Sequence, residues 1–117
     1  MKIRRGDVFY ISIEDVGQAI GSEQSGCRPA VVIQNNVGNE HSPTTIVAFI
    51  TTRKKRNLPT HVILHNSNLL FPSVALLEQI RTVSKERFIR YIGTLNRRDM
   101  KRIDRAIMIS LALNGRK

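Results

Sequence analysis

The sequence predicts a small, mainly β fold: a barrel or rolled sheet with one helix packed on it. Three observations carry this. Short β-branched and apolar runs recur between clusters of turn residues. A single long helical period lies near the C-terminus. The chain has 117 residues, which suits one domain over residues 1–117.

Each element follows from local chemistry. Val8 to Ile13 is rich in β-formers and reads as a first strand. Glu14 to Cys27 holds three glycines and no period, so it reads as a loop. Pro29 to Gln34 reads as a buried second strand, with Pro29 at its start, where a missing N–H is tolerated. Asn35 to Pro43 has turn chemistry in Asn35-Asn36, Gly38-Asn39 and Ser42-Pro43. Thr44 to Thr51 is the strongest strand signal in the chain. A basic loop, Arg53 to Pro59, precedes a short strand, Thr60 to Leu64, and His65 to Pro72 reads as a turn region. Ser73 to Leu77 forms a further strand, and the polar–apolar alternation of Glu78 to Val83 continues it.

Ser84 is placed to cap a single helical turn, Lys85 to Phe88, before a last short strand, Tyr91 to Leu95. Asn96 then N-caps the helix, with Asp99 three residues on in a capping-box arrangement. Met100, Ile103, Ile107 and Leu111 follow at helical spacing as its apolar face, and Gly115 after Asn114 marks the stop.

Hydrophobic residues make up 41% of the chain but aromatics only 5%, with no Trp, so the core is expected to be aliphatic. A core this small leaves apolar surface that self-association would help to cover. No apolar run is long enough to span a bilayer, and Asp7 interrupts any reading of the N-terminus as a signal peptide. Cys27 is the only cysteine and has no intrachain partner, which favours a reducing cytoplasm.

The formal net charge of +10 calls for an acidic partner, and its clustering points to nucleic acid rather than to a merely solvated surface. Residues 1–80 carry 8 basic and 6 acidic side chains, and four of those bases form the run Arg53-Lys54-Lys55-Arg56. Residues 81–117 carry 11 basic and 3 acidic. The excess therefore lies in one loop and the C-terminal third.

The usual catalytic signatures are absent: there is no P-loop, no dinucleotide fingerprint and no His-Glu-x-x-His. One Cys and the scattered His41, His61 and His65 lack zinc-ligand spacing, so the histidines read as solvated or structural and no cofactor is expected. Two polar segments remain. Gly21 to Pro29 sets Ser22, Glu23, Gln24 and Arg28 just ahead of a buried strand, and Thr51 ends the strongest strand. If those strands are neighbours, Arg28 and Thr51 converge at one end of the sheet. Residue type alone favours the plainer reading, an ordinary salt bridge for Arg28 and a strand cap for Thr51.

The segment Gly21-Ser22-Glu23-Gln24-x-Gly26-x-Arg28-Pro29, followed by Val31-Val32-Ile33-Gln34-Asn35, resembles the front half of the MazF/PemK toxin family. Arg5-Gly6-Asp7-Val8, Ser42-Pro43-Thr44, Ile50-Thr51, Leu58-Pro59-Thr60-His61-Val62 and Leu77-Glu78-Gln79-Ile80-Arg81-Thr82 are similar to it too, in the family's order. The likeness runs from about Arg5 to Leu113. It implies an SH3-like barrel with a C-terminal helix, acting as a homodimer. It also implies metal-independent, sequence-specific cleavage of single-stranded RNA, leaving a 2′,3′-cyclic phosphate and a 5′-hydroxyl. A cognate acidic antitoxin, MazE-like, would cover the active site. By position, the family's catalytic Arg and Thr fall on Arg28 and Thr51.

Those residue types suit the chemistry. RNA brings its own nucleophile, the 2′-hydroxyl, so the enzyme needs chiefly to stabilise a dianionic phosphorane and move protons. A guanidinium offers a rigid fork of donors to phosphate oxygens, and a Thr hydroxyl adds one more. Arg28 is a poor proton carrier, because a guanidinium stays protonated throughout the physiological range; Glu23 is the alternative acid/base. Ser22, Glu23, Gln24, Glu78, Gln79 and Arg81 are the expected RNA-binding set, since amides and carboxylates read unpaired base edges. Arg53, Lys54, Lys55 and Arg56 are expected to track RNA phosphates, with a solvated loop as the rival reading. Likewise, Glu78 and Arg81 would fit a cross-strand salt bridge. The segment from Glu14 to Ile20 departs from the family in being longer and lacking its usual Pro, which puts the cleavage motif in question. Two other readings share the composition: a non-catalytic nucleic-acid-binding barrel, and a toxin of the same fold with another target. CcdB toxins, which act on DNA gyrase, are of the second kind, and they lack the Gly21 to Pro29 segment.

Overall fold

A computed structural model describes residues 1–13, 26–52, 57–65, 72–113 and 115. The elements are β1 (Asp7–Ser12), β2 (Cys27–Val32), α1 (Asn36–His41), β3 (Thr44–Thr51), β4 (His61–Leu64), β5 (Ser73–Ser84), a 3-10 turn (Lys85–Arg87), β6 (Phe88–Thr94) and α2 (Arg97–Ser110). The strands form one antiparallel sheet in the order β4-β5-β3-β2-β1-β6. Its edges, β4 and β6, do not pair, so the expected small barrel is an open one.

The sheet buries both faces. On one, Val8, Val31, Ala48, Ile50, Val62, Ala75 and Leu77 pack against Ile103 and Ala106 of α2. On the other, Phe9, Ile11, Ala30, Val32, Val47 and Phe49 meet Val83 and Phe88, with no covering helix among the described residues. A flat sheet would leave that second face wet. Burial there requires the sheet to roll, bringing the far half of β5 and the start of β6 over it. The core is mainly aliphatic, as composition demanded; Phe9 stacks edge-on against Phe88 and Tyr91.

Gly6 opens β1 in a turn at φ +95°, a conformation that L side chains rarely adopt. The Asp7 carboxylate closes that turn by accepting from the Arg4 N–H at 2.9 Å, and it also accepts from Thr94 Oγ1 at 2.7 Å.

Four expectations are corrected. The turn from Asn35 to Pro43 contains a short helix, α1, because Asn35 Oδ1 caps it by accepting from the Gly38 N–H at 2.8 Å. β2 begins at Cys27, so Pro29 lies inside the strand. The helix stops at Ser110, with Leu111 as its C-cap and Ala112 at φ 57°, five residues before Gly115; Leu111 is exposed rather than part of the apolar face. Finally, Asn96 caps α2 as expected, accepting from the Asp99 N–H at 2.8 Å, but Asp99 does not complete a capping box. Its carboxylate, fully buried, accepts from the His65 N–H at 2.8 Å and from Arg102 at 3.3 Å. Arg102 in turn donates to the Ile63 carbonyl at 2.6 Å. The start of α2 is thereby fastened to the exit of β4.

Pro29 has a consequence for the sheet. Hydrogen-bonding partners alternate along a strand. The Ile13 N–H to Gly26 carbonyl bond makes the even-numbered residues of β2 the ones that bond to β1. Odd-numbered residues then bond to β3, and Pro29 has no N–H to offer. The β2–β3 ladder accordingly ends at Ala30 opposite Phe49.

Candidate functional site

Just past that ladder end stand Arg28 and Thr51. Continuing the Ala30↔Phe49 register sets Arg28 level with Thr51, and strand alternation turns both toward the face opposite α2. Both are buried, at 6% and 5% exposure. The Arg28 guanidinium carbon lies 4.7 Å from the centroid of the Phe49 ring, a cation–π contact that supports its planar group from below. Neither Arg28 nor Thr51 is without further interactions. The arrangement brings a rigid cationic fork and a hydroxyl to neighbouring strands.

Glu78 and Gln79 sit in an irregularity of β5. Ala48 pairs with Ile80 while the next residue, Phe49, pairs with Leu76, so Leu77 to Gln79 bulge out of the ladder. Such a bulge re-aims side chains. Glu78 reaches β4 instead of β3: Thr60 Oγ1 donates to its Oε1 at 2.9 Å, and its Oε2 lies 2.9 Å from His61 Nε2. Glu78 thus has a cross-strand partner of the kind the plainer reading expected, His61 of β4. Partial burial pushes the Glu78 carboxyl up. Hydrogen bonds from His61, its own backbone N–H and Thr60, together with the charge of His61, outweigh that and hold it below the ordinary carboxylate range. Arg81 is half-buried opposite Val47.

Ser22, Glu23, Gln24 and the run Arg53, Lys54, Lys55 and Arg56 lie outside the described residues, as does the long segment 14–20. Strand register brings Arg28, Thr51 and Arg81 to one face, while Glu78 turns to Thr60 and His61. A cavity of about 470 Å³ between the N-terminal segment and α1, lined by Lys2, Arg4, Asn36, Glu40 and Lys85 among others, shares no residue with them. Among the described residues, no group of three His, Cys, Asp or Glu is placed to hold a metal, and no helix is long and apolar enough to cross a membrane.

Sequence reasoning passed over Thr60 and His61 as partners of Glu78. The histidine is a structural one, its side chain only 5% exposed. No sequence signal could have linked residue 61 to residue 78, because the link depends on the bulge.

Comparison with known proteins gives concordant results. Residues 4–111 match the family model described as PemK-like, MazF-like toxin of type II toxin-antitoxin system. Endoribonuclease EndoA of Bacillus subtilis is 47% identical over 116 residues, covering 97% of each chain. Endoribonuclease MazF of Staphylococcus saprophyticus is 47% identical over 115 residues, covering 96% of this chain and 93% of its own. Among solved structures, a mycobacterial endoribonuclease in complex with its cognate antitoxin superposes with a TM-score of 0.76 at 25% identity, covering 94% of this chain and 95% of its own. With a family model spanning nearly the whole chain, and relatives this similar over their full length, the chain belongs to the PemK-like, MazF-like family of type II toxin-antitoxin toxins.

Proposed function

We propose that this chain is a toxin endoribonuclease that cuts single-stranded RNA at specific sequences, without a metal, around Arg28 and Thr51. One observation carries the reading: the strand register sets a buried guanidinium level with a buried hydroxyl where the β2–β3 ladder stops. The 2′-oxygen attacks phosphorus and loses its proton; the bond to the 5′-oxygen breaks and that oxygen gains one. The products are a 2′,3′-cyclic phosphate and a 5′-hydroxyl. Arg28 and Thr51 donate hydrogen bonds to the non-bridging oxygens as charge builds on them, the kind of preorganised stabilisation that dominates many enzymatic rate enhancements. Glu23 remains the candidate for proton transfer. Glu78, Gln79, Arg81, Ser22 and Gln24 bind the bases.

The deciding experiment is cleavage of a defined single-stranded RNA in EDTA, with the end groups mapped. Undiminished cutting with cyclic phosphate ends is expected. Loss of cutting in EDTA, restored by a divalent cation, would refute the metal-free mechanism. Tight RNA binding with no scission would favour a non-catalytic barrel.

The basic run from Arg53 to Arg56 follows the RNA backbone. Each phosphate contact contributes about 0.7 to the logarithmic salt slope for a single strand. Replacing all four residues with Ser should flatten that slope by roughly 2 to 3, measured by fluorescence anisotropy from low to moderate salt. An unchanged slope would leave the run as a solvated loop.

We further propose a cytoplasmic homodimer and an acidic antitoxin. Exposed apolar side chains at the end of α2 (Met108, Ile109, Leu111, Leu113) and on edge strand β6 (Ile89, Tyr91) offer surface for such contacts. The net charge of +10 favours an acidic partner.

A further inference from the structure

Helix α2 carries charge that the proposed reaction centre does not use. Its outer surface presents Arg97, Arg98, Lys101, Arg102 and Arg105. Helical geometry gathers all of them within an arc of about 140°, turned away from buried Asp99, Ile103 and Ala106. The acids of the helix do not neutralise this stripe. Asp99 is buried and holds only Arg102, while Asp104 is taken by Arg5 at 2.6 Å. Among the described residues, Arg97, Arg98, Lys101 and Arg105 have no ion-pair partner.

The arrangement works against the helix itself. Arg97 repels Lys101, Lys101 repels Arg105 and Arg98 repels Arg102, each four residues apart. Arg97 and Arg98 also fill the first turn, where the macrodipole favours acid, and the last turn, where it favours base, has none. A face meant only for solvent mixes signs. An external polyanion would relieve this repulsion, and the face defines its chemistry. Four of the five cations are arginines, whose planar forks fit phosphate oxygens. They recur at each helical turn, about 6 Å apart. No exposed large hydrophobic residue lies among them, since Met108 and Ile109 come after Arg105. A protein partner calls for an apolar centre, and a membrane surface for an apolar face, which α2 buries against the sheet. Beside Arg102 and Arg105, a groove of about 150 Å³ opens between α2 and β4, large enough to seat a phosphate group.

We propose that the outer face of α2 is a second RNA surface, a docking site for the phosphate backbone of paired stems that flank the single-stranded cut. The proposal rests on the ribonuclease reading above and extends it to the far side of the molecule. α2 covers one face of the sheet, and Arg28 and Thr51 turn toward the other. The protein measures 34 × 34 × 29 Å, so one RNA running round the β4 edge can reach both. Holding a stem raises the local concentration of the strand to be cut. The stripe reads no sequence, because phosphates carry none.

Three RNAs test this. One is a short single strand, chosen from a randomised pool because it is cut. The second continues that strand into a paired stem, and the third is the stem alone. Wild type should show a KM about tenfold lower on the stemmed RNA at equal kcat, an advantage that fades as salt rises. In the variant Arg97→Gln/Arg98→Gln/Lys101→Gln/Arg105→Gln, the two KM values should converge while cutting of the short strand is unchanged. Its affinity for the stem alone, read by fluorescence anisotropy, should fall at least tenfold, and the logarithmic salt slope should drop by about 3. Arg102 stays in place because it holds Asp99 and the Ile63 carbonyl. Glutamine keeps helix propensity and removes repulsion, so thermal unfolding should find the variant no less stable than wild type. Should it fail to fold, Lys101→Glu, a reversal at the centre of the stripe, still decides through the same loss on the stemmed RNA alone. Equal KM values on both RNAs in wild type, or unchanged stem binding in the folded variant, would overturn the proposal. So would poly-glutamate binding as tightly as the stem, which would mark a surface for acidic protein. Cutting without stem binding defeats this proposal alone; stem binding without cutting defeats the ribonuclease reading.

Discussion

Arg28→Ala is expected to lower kcat on a defined single-stranded RNA by about 100- to 1,000-fold, the usual cost of removing one preorganised donor from a developing oxyanion. The loss should appear in kcat more than in KM, because the phosphorane carries more charge than the ground-state diester. Thr51→Ala removes a neutral donor from the same oxygens and should cost less, since hydrogen bonds from charged groups are roughly twice as strong as neutral ones. Arg28→Lys should recover little, as a point charge cannot reproduce the planar fork resting on Phe49. Single-turnover cleavage rates, with circular dichroism as a control for folding, check these expectations. Arg28→Ala at wild-type rates would remove the phosphorane role from this residue and with it the proposed site.

The largest effect on stability is expected at Asp99. Its fully buried carboxylate satisfies the His65 N–H and draws in Arg102, which also holds the Ile63 carbonyl. Asp99→Ala removes the acceptor of the His65 N–H and releases the start of α2 from the exit of β4. The expected cost is about 2 kcal/mol, combining a lost hydrogen bond to a charged acceptor with the loss of a partly exposed ion pair. It should appear as a lower denaturant midpoint at unchanged slope. Asp99→Asn keeps an acceptor for His65 and should lose markedly less. A loss below about 1 kcal/mol in Asp99→Ala would mean that solvent replaces the carboxylate and that the fastening contributes little.

How much of this was legible beforehand differs from element to element. The strand Thr44–Thr51 was readable to the residue, because its apolar and β-branched run is bounded by Pro43 and a polar stretch. The cap of α2 was readable because Asn96 acts within three residues of itself. α1 was not, since Asn35 starts a turn and a helix with the same side-chain geometry. The role of Asp99 was misjudged for a similar reason: spacing gave it a local partner, and tertiary contact with His65 took its carboxylate instead. For the candidate site, residue type nominated Arg28 and Thr51, and resemblance to a family favoured them over an ordinary ion pair and a strand cap. Their convergence depends on β2 and β3 being neighbours, a fact of topology that no local pattern encodes. The setting of Glu78 depends on a bulge, which is an irregularity of three residues in a ladder and leaves no compositional trace.

The proline beside Arg28 acts as a fixed zip-stop. Any other residue at position 29 would return an amide hydrogen to β2 and invite β3 to bind it, carrying the seam toward the two groups proposed above to receive a phosphate. More cohesion between those strands would mean less room for substrate. If the proposed site is right, a tighter sheet and an open reaction centre are opposing demands here, and the pyrrolidine ring favours access.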